Sequence, residues 1–145
     1  MINIRSLLLV LVCALASPLA RADTELNAAR ALLVDGRAGE AFDRLSGAEF
    51  ARSGEPEFDY VFGLAALASG RPAIATLAFE RVLAVAPDYA AAHLDMGRAY
   101  YALGDLERAE QSFAVARSRN PPPDALATIA NYEKAIAARR DPKRL

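Results

Sequence analysis

The sequence predicts an all-α protein built from repeated helix–turn–helix units, and three observations carry that prediction. The first is a period of 34 residues. At that shift Ala29, Gly63 and Gly97 align as small residues, and Ala41, Ala75 and Ala109 as alanines. Leu45, Phe79 and Phe113 align as large apolar residues, and Ala48, Val82 and Ala116 as modest ones, with no insertion needed. A fixed period in the range of 20–50 residues is the mark of stacked repeats. The second observation is Gly36, Gly70 and Gly104, each placed where an apolar pattern ends and a left-handed turn can cap a helix. The third is helical spacing inside the unit: His93, Met96, Gly97 and Tyr100 fall at i, i+3, i+4 and i+7.

The chain has 145 residues, enough for one small domain. Residues 1–22 read as a cleaved secretory signal: Arg5 supplies a positive start, Leu7 to Ala16 are unbroken apolar residues, and Ala20-Arg21-Ala22 places small residues where a signal peptidase reads. Ten apolar residues are too few for a membrane span, which needs about 20. Cys13 is the only cysteine, and bulky Val12 before it argues against lipid attachment. Cleavage after Ala22 would send a chain with neither disulfide nor thiol to an oxidising compartment, the periplasm, where packing must supply its stability. After Ala22 stand 15 basic and 18 acidic residues, a net charge of −3. Residues 23–114 carry −7 and residues 115–145 carry +4, an acidic body with a basic tail that suits general nucleic-acid binding poorly.

Units are expected at about 22–55, 56–89 and 90–123, followed by a capping helix at 124–140 and a frayed basic tail at 141–145. In the first helix of the third unit, Gly97 lets a neighbouring helix come close, although a mid-helix glycine costs ~1 kcal/mol against alanine. After the turn at Gly104, Asp105 can cap the next helix. Ala109, Phe113 and Ala116 form the apolar stripe of that helix, and Pro121-Pro122-Pro123 stops it. The first unit is the most degenerate, because it lacks the large aromatics and Gly47 interrupts its second helix. In the fourth segment Leu126, Ile129, Ala130 and Ile136 make the better apolar stripe, Ala127, Ala130, Asn131 and Lys134 the poorer one, and Asp124 is placed to cap.

Gly97, Tyr100, Gly104, Ala109, Phe113, Ala116 and Pro121, with Gly63, Gly70, Ala75, Phe79 and Pro87 in the preceding copy, resemble the tetratricopeptide repeat (TPR). The resemblance covers about residues 23–123 and implies a right-handed superhelical solenoid of helix pairs with a C-terminal cap. His93, Asp59 and Glu25 stand where the family favours tryptophan. A weaker resemblance rests on Pro122, Pro123, Ile129, Tyr132 and Ile136, which are similar to the periplasmic N-terminal TPR part of surface lipoprotein assembly modifier proteins. The outer-membrane barrel that follows in those proteins has no counterpart in these residues, so only a soluble head is implied.

Nothing in the chain assembles reactive chemistry. The one histidine, His93, is expected between the two helices of the third unit rather than as a base or ligand. No metal-ligand cluster or phosphate-binding glycine loop is spelled out, so no metal and no cofactor is expected and the chain is not read as an enzyme. The function expected is non-catalytic binding. First helices line the concave face of such a solenoid, which makes Leu26, Arg30 and Leu33, then Tyr60, Leu64 and Leu67, then Leu94, Arg98 and Tyr101 the candidate groove for a partner protein or extended peptide. Some proteins of the family clamp a C-terminal carboxylate with Lys, Asn and Arg. Leu26, Arg30, Val61, Ala91 and Asp95 stand at those positions, and only Arg30 could serve. The alternatives are a periplasmic head module of an outer-membrane export system and a self-associating structural module. Neither involves nucleic acid or stable insertion in a membrane.

Overall fold

The structure, a computed structural model, describes residues 18–141, with side chains from Thr24 onward. Its helices are α1 (Pro18–Val34), α2 (Ala38–Ser46), α3 (Glu49–Arg52), α4 (Pro56–Ala68), α5 (Pro72–Val85), α6 (Ala90–Leu103), α7 (Leu106–Ser118) and α8 (Pro123–Arg140), with no strand among the described residues. Most of the expected secretory signal, residues 1–17, lies outside them. The helix of the first unit is described from Pro18 onward. Apart from the single turn α3, the helices pack on their neighbours along the chain: α1 on α2, both on α4, α4 on α5, α5 on α6, α6 on α7, and α8 across α6 and α7. This all-α, nearest-neighbour stack is a helical solenoid.

The same turn closes every hairpin. Gly36, Gly70 and Gly104 have φ of 75°, 78° and 81°. Around each, two backbone bonds satisfy the last carbonyls of the preceding helix. The Asp105 N–H donates to the Tyr100 carbonyl at 3.0 Å and the Gly104 N–H to Tyr101 at 3.1 Å; Arg37 with Leu32 and Arg71 with Ala66 repeat the first of these bonds at 2.8 Å. This is the left-handed C-terminal cap that the glycine positions predict. Asp105 caps α7 as expected, its Oδ1 accepting from the Arg108 N–H at 3.0 Å. Pro56, Pro72 and Pro123 each open a helix, where the missing N–H costs nothing.

Within a unit, the small and large columns touch. A Cβ built on Gly63 would stand 2.6 Å from the Phe79 ring, and one on Gly97 would stand 2.5 Å from the Phe113 ring. In the first unit Ala29 and Leu45 occupy the same places, both buried in one cluster with Leu26, Ala41, Phe58 and Phe62. The extra methyl on one helix is matched by a smaller side chain on the other, so the hairpin keeps its spacing.

Gly47 breaks the second helix of the first unit as expected. α2 ends at Ser46, and α3 resumes for a single turn. This broken end is held by Asp59 of α4, a fully buried carboxylate that accepts from the Gly54 N–H at 2.7 Å and from Arg81 Nε at 2.8 Å. Arg81 also reaches Glu49 at 3.3 Å.

Three sequence expectations need correction. Asp124 does not cap α8: the helix starts one residue earlier at Pro123, and Asp124 sits in its first turn. The buried face of α8 is Ile129 and Ile136 with half-buried Leu126 and Tyr132, whereas Ala130 is exposed with Ala127, Asn131 and Lys134. Tyr132 has more apolar ring to cover than a single methyl, which turns the helix toward it. His93 does not lie buried between α6 and α7. Its Nε2 is 2.8 Å from the Pro87 carbonyl oxygen, tying the first turn of α6 to the loop before it.

Candidate partner-binding face

The first helices α1, α4 and α6 bring the nine expected groove residues onto successive units, but none of the nine is free of the stack. Leu26 is a correction. It is only 2% exposed, packed with Ala29, Leu45 and Val61, and offers almost no surface to a partner. The reason is the next unit: a first helix in the stack is covered by its successor, and Leu26 lies on that covered side. Leu33 is half-buried on the same cluster. Leu64, Leu67 and Tyr60 are half-buried against the Ala66, Phe79 and Met96 cluster, and Leu94 and Tyr101 against the Phe113 and Ile129 cluster.

The polar members of the set are engaged as well. Arg30 bonds Asn27 at 3.0 Å and pairs with Glu57 across the first junction, beside a small cleft that both residues line. The Tyr60 hydroxyl donates to Asp95 Oδ2 at 2.8 Å, and its ring stacks at a tilt on Tyr89, 5.0 Å away. Arg98 Nη1 donates to the other oxygen, Asp95 Oδ1, at 2.7 Å. Tyr101 meets the Tyr132 ring edge-on at 5.1 Å, and the Arg139 guanidinium lies over the Tyr101 ring at 4.0 Å. These aromatic and cation–π contacts contribute roughly 0.5–1.5 kcal/mol each.

Asp95 is the electrostatic centre of the face. Burial pushes its carboxyl above the usual range, and the Arg98 cation pulls the other way. Burial first and the Asp95 carboxylate second raise the Tyr60 phenol, so it stays a donor. Every deeply buried side-chain nitrogen and oxygen among the described residues has a hydrogen-bond partner. No group of His, Cys, Asp or Glu able to hold a metal is assembled among them.

Sequence reasoning missed Asp95, Tyr132, Tyr89 and Arg139 as members of this face. A signal for the first was available: a carboxylate on the buried stripe of a helix, one residue off the 34-residue register from Tyr60, needs a partner from the preceding unit.

What results is a repeat solenoid whose first-helix face is apolar, with its polar groups already paired among themselves. Residues 66–132 match the family model of the tetratricopeptide repeat, spanning α5 to α7 with the neighbouring parts of α4 and α8. The match covers 67 of the chain's 145 residues and supports the tetratricopeptide repeat family that the sequence resembles. Such repeats are typically non-catalytic and serve as protein–protein interaction scaffolds. No curated protein matches the chain.

Proposed function

We propose that this chain is a non-catalytic periplasmic scaffold that binds an extended, largely apolar segment of a partner protein along its first-helix face, concave in this family. The observation that carries the reading is the line of half-buried apolar side chains Leu33, Tyr60, Leu64, Leu67, Leu94 and Tyr101 running across three units, with the polar groups beside them already satisfied. A partner covering this face gains apolar burial without stripping water from an unpaired charge. A few side chains buried at ~1.5–3 kcal/mol each, less the cost of ordering the segment, support micromolar-range affinity. The apolar run Leu7 to Ala16 and the Ala20-Arg21-Ala22 spacing support export.

Arg98 and Tyr101 are poor probes of this face, because Arg98 fixes Asp95 and Tyr101 holds α8. A better test replaces Leu64 and Leu67 together by alanine and uses the mature chain to capture partners from the native envelope. Capture of the partner recovered by the wild type should fall by at least about tenfold, a loss of ~1.4 kcal/mol, while the circular dichroism spectrum stays helical. Undiminished capture by a folded variant would move the binding face elsewhere.

A further inference from the structure

The three junctions of the stack can be compared at one equivalent place, where a first helix meets the next first helix 35 residues on. At the first junction the residues are Leu26 and Val61, both buried in one apolar cluster. At the third they are Leu94 and Ile129, again apolar and in one cluster. At the middle junction they are Tyr60 and Asp95, joined by a hydrogen bond. The stack therefore has no general need of a polar pair at this place.

The middle pair is also continued within the third unit. Asp95 is fixed by Arg98 on its own helix. One chain of directional bonds thus joins α4 to α6. The Asp95 side chain at its centre is 6% exposed. Removing a carboxylate from water is costly, and apolar residues of similar size commonly serve stability as well or better. Apolar contacts tolerate sliding and rotation, whereas hydrogen bonds in a low-dielectric site enforce one geometry.

We propose that the Tyr60–Asp95–Arg98 chain is a polar brace that fixes the angle between the second unit and the third, and that it does so in place of the stability an apolar junction would give. The brace belongs to the free protein and stands whether or not the first-helix face binds a partner.

The test copies the first junction onto the middle one with Tyr60→Leu and Asp95→Val together. Spin labels on cysteines replacing Leu77 and Gln111, exposed on α5 and α7, span the middle junction; labels replacing Asp43 and Leu77 span the first. The expected result is a Leu77–Gln111 distance distribution that shifts or widens, a Asp43–Leu77 distribution that does not, and a Tm no lower than that of the wild type. Unchanged distributions on both pairs, or a clear fall in Tm, would overturn the proposal, the latter by making the chain an ordinary stabilising contact. Tyr60→Phe removes only the hydroxyl and guards against a failure to fold. It should widen the same middle distribution, and an unaltered one counts against the brace.

Discussion

At the scale of single residues, the fold turns on the contact between a glycine and an aromatic ring sixteen positions on. Gly97 sits beneath Phe113 with no room for a methyl group. Gly97→Ala gains ~1 kcal/mol of helix propensity but drives a Cβ into the ring, and such overpacking costs about 1–3 kcal/mol. A net loss of stability is therefore expected. Phe113→Leu on its own leaves a void and also costs stability. Together the two changes reproduce Ala29 over Leu45, which the first unit already packs well. Urea unfolding of the wild type, both single variants and the double should show a favourable coupling of about 0.5–3 kcal/mol. Strictly additive losses would mean that the ring and the glycine do not sense each other. The sequence shows the small column and the large column separately. That they touch becomes visible only when the hairpin closes, and the compensating Ala–Leu exchange then explains why the first unit departs from the other two.

The elements were legible where local rules decide them and illegible where a distant side chain decides. Gly36, Gly70 and Gly104 end their helices through backbone conformation, and Gly47 weakens α2 through propensity, so all four can be read from nearby residues. The docking of α3 cannot. It depends on Asp59, which stands where related repeats favour tryptophan, and which reaches back to the Gly54 N–H and forward to Arg81. Asp59→Ala leaves that N–H and part of the Arg81 guanidinium without a buried acceptor, at a cost of about 1–3 kcal/mol. Arg81 keeps Glu49, which limits the loss. The change should be local as well as global: amide exchange of residues 47–55 should accelerate more than that of α6 and α7. If peptides from that segment exchange at the wild-type rate, α3 is held by something other than Asp59. Phe50 of α3 is fully exposed, and the turn meets the core through Arg52, whose guanidinium lies 4.9 Å from the Phe58 ring centre.

For the whole molecule, the candidate face was legible as a list of first-helix positions but not as a surface. Leu26 disappears beneath the second unit, Arg98 is taken up by Asp95 and Tyr101 by α8, because a solenoid uses the side chains at each junction to join its units. The same arrangement predicts uneven stability. Each unit touches only its neighbours, so stability is approximately a sum of unit and junction contributions and the ends can open without the middle. The two ends differ. The third unit keeps unbroken α6 and α7, the Gly97–Phe113 contact, and α8 laid across both helices with Ile129 and Ile136 fully buried. The first unit has a broken second helix and Leu45 in place of a phenylalanine. An exposed groove lined by Ala28, Ala31, Leu32 and Arg44 runs between its two helices. Native-state hydrogen exchange should therefore show α1 and α2 opening in a subglobal step at lower free energy than α4 to α7, with the slowest amides around Phe62, Phe79 and Ala99. Uniform protection from α1 to α8 would mean that the stack unfolds as one cooperative block, and that the Asp59 network binds the broken first unit to the second as firmly as the other junctions bind theirs.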